Sequence, residues 1–197
     1  MFFSTESQSW YQIEDESHGR ADRAVALANQ EPLFAAADSD QCIRVYRITD
    51  EACINRISLP VPANALGQIG FSQDDNYLYA ATEGMERQIF LFRVADGELV
   101  YRMTPNGTNN YAEISVTTDE ENQRLYIQFI SSYPETHCIS TAAWEELGAP
   151  EYTAAFLPET GELLCTDSQH LYLIKVPSRD ELVETAVRFV EMSRTHT

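Results

Sequence analysis

The sequence predicts an all-β fold made of repeated antiparallel meanders of short strands. Runs rich in Val, Ile, Leu, Tyr and Phe recur along the 197 residues, with turn clusters of Asp, Asn, Gly, Ser and Pro between them. This pattern is typical of strands joined by hairpins. The order of runs and turns repeats about every 40 residues. Hydrophobic residues make up 44% of the chain, which is enough to form a core.

The first two meanders each contain four strand-like runs. The first has runs at residues 24–28, 33–37, 42–48 and 53–59. The second has runs at residues 68–72, 77–81, 89–94 and 99–103. In the third run of the first meander apolar and polar residues alternate, which suits a sheet with one buried face. Asp96 and Gly97, in the second meander, are a strong signal for a tight hairpin.

The last two meanders contain three runs each, and a helical pattern follows them. The runs cover residues 112–116, 124–130 and 138–144, then 152–156, 163–166 and 171–176. Apolar residues then recur at helical spacing, which predicts a short C-terminal helix. These residues are Leu182, Ala186, Val187 and Val190. Ser178 is predicted as its N-cap, with Asp180 and Glu181 in the first turn, where carboxylates interact favourably with the helix dipole.

The repeat length matches the four-stranded blades of a β-propeller. The chain is therefore predicted to form a partial or small propeller of four-stranded antiparallel blades, with a β-sandwich as the alternative. The propeller-like domain is expected at residues 1–176 and the helix and tail at residues 177–197. The predicted blades lie near residues 24–66, 67–110, 111–149 and 150–176, with a partial blade at 1–16.

Three arrangements stay open for so few blades. In the first, the N-terminal strands complete the last blade and close a ring. In the second, the arc stays open with bare strand edges. In the third, another chain completes the propeller, either a partner protein or a second copy. Residues 2–13 are expected to form strands that pair with a larger sheet. Burial of one large apolar side chain contributes about 1.5–3 kcal/mol, which disfavours a free tail.

The repeats at residues 27–60 and 70–103 resemble the WD-repeat β-propellers, specifically the divergent bacterial ones. Each has the order turn, Ala-rich strand, aromatic–aliphatic strand, Asp turn, strand. Tyr46-Arg47 and Phe92-Arg93 stand where that family has Trp-Asp. The tail at residues 176–190 is similar to the helix that often follows the last blade. The resemblance implies an interaction platform, which in bacteria is often a regulatory or sequestering subunit of signalling or defence proteins.

The charge of the chain excludes some classes of partner. Thirty-one acidic residues against 13 basic ones give a formal net charge of −18. A surface this acidic repels nucleic acid and anionic lipid. It attracts a basic protein surface, although the same charge also favours solubility. No apolar run approaches the length of about 18 residues that spans a bilayer, and the start does not read as a signal peptide, so a cytoplasmic location is expected.

No group of residues predicts catalysis, a metal or a cofactor. The histidines are scattered at His18, His137, His170 and His196. His137 and Cys138 are neighbours on one strand and should point to opposite faces, which separates a base from a nucleophile. The four cysteines are interpreted as buried apolar residues of a reducing compartment. The chain is therefore expected not to be an enzyme, and a propeller-type hydrolase or lyase acting on a small substrate is the alternative.

Aromatic residues are the candidate contacts for a partner protein, because such residues dominate binding hot spots. The candidates are Phe2, Phe3, Trp10 and Tyr11 near the N-terminus, and Tyr111, Tyr133 and Trp144 near the predicted blade junctions. The sequence therefore predicts a protein–protein interaction module. In this interpretation it is a WD-repeat-like scaffold that binds one basic partner protein as a regulatory or sequestering subunit.

Overall fold

A computed structural model gives the structure of the chain. It describes residues 2–4, 9–11, 24–38, 41–62, 65–83, 87–105, 113–130, 135–147, 153–166, 170–178 and 181. The contacts between residues divide the chain into two compact units, Met1–Thr108 and Asn109–Thr197. Each unit contains its own sheets and its own hydrophobic cluster.

The described residues of the first unit form a hairpin and two four-stranded antiparallel sheets. The hairpin pairs β1 (Phe2–Ser4) with β2 (Ser9–Tyr11). The first sheet has the order β3 (Val25–Leu27), β4 (Leu33–Asp38), β5 (Cys42–Arg47) and β6 (Cys53–Ser58). The second has the order β7 (Leu66–Phe71), β8 (Tyr77–Thr82), β9 (Ile89–Arg93) and β10 (Leu99–Met103).

The two large sheets of the first unit share one hydrophobic core. Ala35 and Ala37 of β4 lie in the same buried cluster as Phe90 and Phe92 of β9. Small residues on one sheet and large rings on the other fill a shared interior at high density. The Ala-rich run in the first meander is therefore part of the packing between sheets.

A buried carboxylate links the turns of these two sheets. Asp75, between β7 and β8, is 4% exposed. Its carboxylate accepts hydrogen bonds from the backbone N–H groups of Asn29 at 2.7 Å, Gln30 at 2.6 Å and Glu31 at 2.7 Å. The side-chain amide of Asn29 also donates to the Ser72 carbonyl at 2.9 Å. Hydrogen bonds to a charged group are stronger than neutral ones, so this contact fixes one sheet against the other.

An Arg–Asp ion pair closes one turn in each of these two sheets. Arg47 at the end of β5 contacts Asp50 at 2.9 Å, and Arg93 at the end of β9 contacts Asp96 at 2.7 Å. The pKa of Asp96 is lowered, first by a backbone N–H in the turn and then by the Arg93 guanidinium. Gly97 follows with φ of +74°, so the hairpin predicted at Asp96 and Gly97 is confirmed.

The second unit contains one four-stranded and one three-stranded antiparallel sheet. The four-stranded sheet has the order β11 (Glu113–Asp119), β12 (Arg124–Ile130), β13 (Glu135–Ser140) and β14 (Glu145–Glu146). The three-stranded sheet has the order β15 (Thr153–Leu157), β16 (Glu162–Thr166) and β17 (Leu171–Lys175). Its described residues contain no fourth strand.

A smaller cluster joins the two sheets of the second unit. It consists of Tyr126, Cys138, Phe156, Leu163 and Cys165. The rings of Tyr126 and Phe156 are stacked, with centroids 4.2 Å apart and an interplanar angle of 16°. This core therefore contains one phenol hydroxyl and two thiols among its five buried members.

The predicted fold class is confirmed. The described residues form an almost entirely β structure, and each large sheet is a meander of consecutive strands, as in a partial propeller-like fold. In a β-sandwich, by contrast, Greek-key connections carry the chain between the two sheets. The division into residues 1–176 and 177–197 stays a prediction.

The start of the C-terminal helix is visible at its cap. The Ser178 hydroxyl accepts the Glu181 N–H at 3.2 Å, and the Glu181 carboxylate accepts the Ser178 N–H at 2.8 Å. These two bonds form a capping box, which confirms Ser178 as the N-cap. The helix predicted beyond Glu181 lies outside the described residues.

Two sequence-based expectations need correction. Residues 2–4 and 9–11 form strands, but they pair with each other, and among the described strands no larger sheet continues this hairpin. Cys53 is exposed, whereas Cys42, Cys138 and Cys165 are buried as expected. Cys53 begins β6, the last strand of its sheet, where one side has no neighbouring strand to cover it.

Within the described part of the chain, no helix has the length and apolar character to cross a membrane.

Candidate protein-binding strand

The structure places the predicted aromatic contacts in different parts of the chain. In the hairpin Phe2 lies opposite Tyr11 and Phe3 lies opposite Trp10. Trp144 is half-buried in the turn before β14 and has φ of +54°. Tyr111 and Tyr133 lie outside the described residues. The described candidate aromatic residues therefore belong to different units, with the hairpin in the first unit and Trp144 in the second. Their role in binding stays a prediction.

An exposed apolar surface lies on β17, an outer strand of the three-stranded sheet. Leu171 is 72% exposed, Tyr172 40% and Leu173 53%. Isolated exposed apolar residues are ordinary, but three in succession on a sheet edge are unusual. We define these residues, together with Lys175, as the β17 edge.

Register determines which way the side chains of the β17 edge point. Tyr172 pairs with Cys165, and Ile174 pairs with Leu163. Cys165 and Leu163 belong to the core cluster, so Tyr172 and Ile174 share the core-facing side of the sheet. Leu171 and Leu173 alternate with them and therefore lie on the opposite face.

The free backbone groups of β17 follow from the same register. The Val176 N–H donates to the Gly161 carbonyl on the side of β16 at 3.3 Å. In an antiparallel pair, successive residues alternately turn their N–H and C=O groups toward and away from the partner strand. Leu171, Leu173 and Lys175 therefore direct their backbone groups away from β16. No described strand lies on that side.

The last strands of the other large sheets differ from β17, although β3, the first strand of its sheet, also exposes Val25 and Leu27, at 61% and 60%. Strand β6 carries Arg56 and β10 carries Arg102, both exposed. Strand β14 has two residues, Glu145 and Glu146, which are both exposed. Charge and short length are the usual protection of a sheet edge against pairing with other chains. In β17 the only charged residue is Lys175, at the end of the strand.

The charges around the β17 edge are mainly acidic. Lys175 contacts Glu181 at 3.4 Å, which offsets its charge. The pKa of Glu181 is lowered, first by the backbone N–H of Ser178 and then by Lys175, so this carboxylate is ionised at neutral pH. Glu162 lies directly opposite Lys175 on β16. An apolar strand bordered by carboxylates suits a ligand that is apolar and basic.

His137 contacts a carboxylate through each of its two ring nitrogens. Its Nδ1 lies 2.6 Å from Glu146 and its Nε2 lies 2.7 Å from Glu135. Phe129 covers the ring edge-on, with centroids 5.7 Å apart. Both nitrogens are therefore engaged, and Glu146 is held onto the sheet. Cys138 lies in the core cluster with Tyr126, on the other face of β13, as predicted.

The buried phenol and thiol of the second unit are poor nucleophiles. Burial raises the pKa of Tyr126, and burial also raises the pKa of Cys138. Both groups therefore keep their protons at neutral pH, whereas a nucleophilic thiol requires the thiolate. Among the described residues, no group of three or more His, Cys, Asp or Glu side chains is placed to hold a metal ion.

Sequence reasoning identified residues 171–176 as a strand but not as a binding surface. The signal was present, because the last meander has an apolar strand and no fourth run after it. The direction of each side chain could not be obtained without the pairing of β16 with β17. Aromatic residues drew attention instead, whereas within β17 the exposure is greatest at Leu171 and Leu173.

Comparisons with known proteins show limited similarity. No protein-family model matches the chain, and no curated protein matches it. One similar solved structure is described as KlHsv2 with loop 6CD replaced by a Gly-Ser linker, with 13% identity over 57% of this chain and 38% of that one, and a TM-score of 0.44. Another is hydrazine synthase from Kuenenia stuttgartiensis, with 13% identity over 71% of this chain and 42% of that one, and a TM-score of 0.44. The chain thus spans about two fifths of the length of either structure.

Proposed function

We propose that this protein is a non-enzymatic interaction module that binds a basic partner protein through the β17 edge. The observation that carries the proposal is the exposure of Leu171, Tyr172 and Leu173 on an outer strand whose free side has no described neighbour. In this role the chain is a WD-repeat-like scaffold in the cytoplasm that acts as a regulatory or sequestering subunit. The aromatic hairpin residues Phe2 and Trp10 are secondary candidates for contact.

The chemistry of the β17 edge supports a protein rather than a small molecule as the ligand. An extended apolar strand offers a long, flat contact, whereas small-molecule sites are concave. Leu171 and Leu173 supply apolar area on one face, and the backbone groups of the same residues supply hydrogen bonds along the edge. A protein segment can use both at once.

The net charge supports a basic partner. At −18 the chain attracts positively charged proteins over distances of about one Debye length, 8–10 Å at physiological ionic strength. The carboxylates of Glu162 and Glu181 give the attraction a local component near β17. Complex formation should therefore slow as salt is raised, because screening weakens steering before contact.

The test is affinity capture from a lysate with matched variants. The double variant Leu171→Lys/Leu173→Lys removes apolar area and adds positive charge at the β17 edge. The control is Leu99→Lys, which alters an exposed leucine of β10 in the first unit, 42% exposed. The double variant should lose the captured partner by at least about tenfold, equivalent to about 1.4 kcal/mol, while the control keeps it.

Two checks complete this experiment. Thermal melting of both variants should match that of the unchanged chain, because exposed substitutions change stability by about 0.5 kcal/mol or less. The captured protein should carry a net positive charge, and its association rate should fall with salt. Equal capture by the double variant and the unchanged chain would refute a role for the β17 edge.

A further inference from the structure

We infer that the partner contributes an extended basic segment that adds to β17 as a fourth strand. This inference rests on the proposed function and specifies how the β17 edge is used. The alternative is a contact made by side chains alone, in which the partner presses on Leu171 and Leu173 without backbone pairing. The register of the sheet distinguishes the two.

The sheets themselves show where a fourth strand belongs. In each of the three four-stranded sheets the third strand pairs on its far side with a fourth: β5 with β6, β9 with β10 and β13 with β14. Strand β17 is the third strand of its meander and has the same place in the order. The addition of one strand would give its sheet the number of strands that the others have.

The backbone of β17 directs N–H and C=O groups toward the side where a fourth strand would lie. Leu171, Leu173 and Lys175 direct their N–H and C=O groups away from β16, as the Val176 to Gly161 hydrogen bond and the alternation of the ladder require. Unpaired groups in a row along an extended strand are the template that an added strand uses. Strand β17 has five residues, which is long enough for several ladder bonds.

Charge decides between two possible occupants of the edge. A second copy of this chain would bring another net charge of −18 to a border that already carries Glu162 and Glu181. The carboxylates of two copies would repel each other when their β17 edges came together. A basic segment gains from the same field, so the occupant is a Lys- or Arg-rich partner strand and not a second copy.

The sequence of the occupant follows from the two faces of the sheet. Side chains of an added strand alternate between faces. One set lies on the face of Leu171 and Leu173 and should be apolar, because cross-strand apolar pairs stabilise a sheet. At the Lys175 end of this same face a basic residue is expected instead, because Glu162 pairs with Lys175 and Glu181 contacts it. The segment should lack proline at the positions that pair with β17, because proline cannot donate to the ladder.

The experiment uses a random dodecapeptide library panned on the full chain. Selection on the unchanged protein follows counter-selection on Leu171→Lys/Leu173→Lys, so that only peptides that need the β17 edge are kept. The expected peptides carry apolar residues at alternate positions and Lys or Arg toward one end. A pool that is acidic or proline-rich would overturn the inference of a basic added strand.

Two single variants then separate backbone pairing from side-chain contact. Leu173→Thr removes the apolar side chain but keeps the outward N–H and a residue that favours strands. Leu173→Pro also removes the outward N–H, and the ladder to β16 does not use that group. Selected peptides should bind the threonine variant better than the proline variant by about tenfold. Unchanged melting temperatures would show that both variants fold.

The outcomes separate this inference from the proposed function. Peptides that depend on the β17 edge but bind both variants of Leu173 equally would contradict strand addition and leave the proposed function intact. A library that yields no peptide dependent on the β17 edge would contradict both. Dimerisation of the free chain through β17, abolished by Leu171→Lys/Leu173→Lys, would show that the occupant is a second copy.

Discussion

In the first unit both large sheets have four strands, whereas in the second unit one of the two sheets has three described strands. The first unit buries an apolar cluster between its sheets and adds the Asp75 carboxylate as a link between turns. The second unit has a smaller cluster that includes Tyr126 and two cysteines. The two units therefore differ in the strands that their described sheets contain, and β17 is an outer strand with no described neighbour on one side.

The largest expected effect concerns the link in the first unit. Asp75→Ala removes the acceptor of three backbone N–H groups, and we expect it to lower the free energy of unfolding by about 2–4 kcal/mol. The matched control is Asp74→Ala, since the Asp74 carboxylate accepts hydrogen bonds from Ser72 and Asn76 within the same turn. Chemical denaturation of both variants gives the comparison. Equal losses would show that the link between sheets is unimportant.

Alkaline pH should weaken the second unit. Burial raises the pKa of both Cys138 and Tyr126 above the ordinary values of these groups, so the folded state holds these protons more tightly than the unfolded chain does. The unfolded chain releases them first as pH rises, and stability therefore falls from about pH 9 upward. The slope is at most about 1.4 kcal/mol per pH unit for each proton.

This pH dependence can be assigned to the second unit by fluorescence. The chain has two tryptophans, and Trp10→Phe leaves Trp144 as the reporter of the second unit. Urea unfolding followed through Trp144 should become easier between pH 9 and pH 11. In Cys138→Ala/Tyr126→Phe the change should be smaller. An equal pH slope in that double variant would contradict the assignment.

A smaller effect concerns two buried tyrosines, one in each unit. The Tyr126 hydroxyl is buried beside Cys138 and Arg124 but makes no hydrogen bond of good geometry within the described part of the chain, whereas the Tyr79 hydroxyl accepts a bond from Gln68 at 3.0 Å. Tyr126→Phe should leave stability unchanged or raise it by up to about 1 kcal/mol, because an unpaired buried hydroxyl is unfavourable. Tyr79→Phe should lower it by about 1 kcal/mol. Thermal melts in which Tyr126→Phe is less stable than Tyr79→Phe would contradict this contrast between the two units.

Much of the fold could be predicted from local pattern. Most of the strand runs, the hairpin at Asp96 and Gly97 and the cap at Ser178 depend on neighbouring residues, and the structure confirms them. The run predicted at residues 138–144 instead ends at Ser140 as β13, and the two-residue strand β14 was not predicted. The contact of Asp75 with Asn29 joins residues 46 apart, and no local pattern indicates it. The exposure of Cys53 depends on the position of β6 at the end of its sheet, which sequence does not specify.

The candidate site was harder to predict than the fold. Apolar residues on a strand normally indicate a core, and the run that contains Leu171 and Leu173 is as apolar as the runs that form buried strands. Their exposure becomes apparent only when the register with β16 is known and the free side of β17 is seen. The acidic charge did point to a basic partner, but it gave no location, because the acidic residues are spread along the chain.

The most direct test of the β17 edge is site-specific photo-cross-linking. The photoreactive residue benzoylphenylalanine replaces Leu171 in one variant and Leu99 of β10 in the other, since both leucines are exposed. Each variant is irradiated in lysate, and adducts are identified by mass spectrometry. The account predicts adducts with a basic protein from position 171 and few or none from position 99. Equal adducts at both positions, or adducts at position 99 alone, would contradict it.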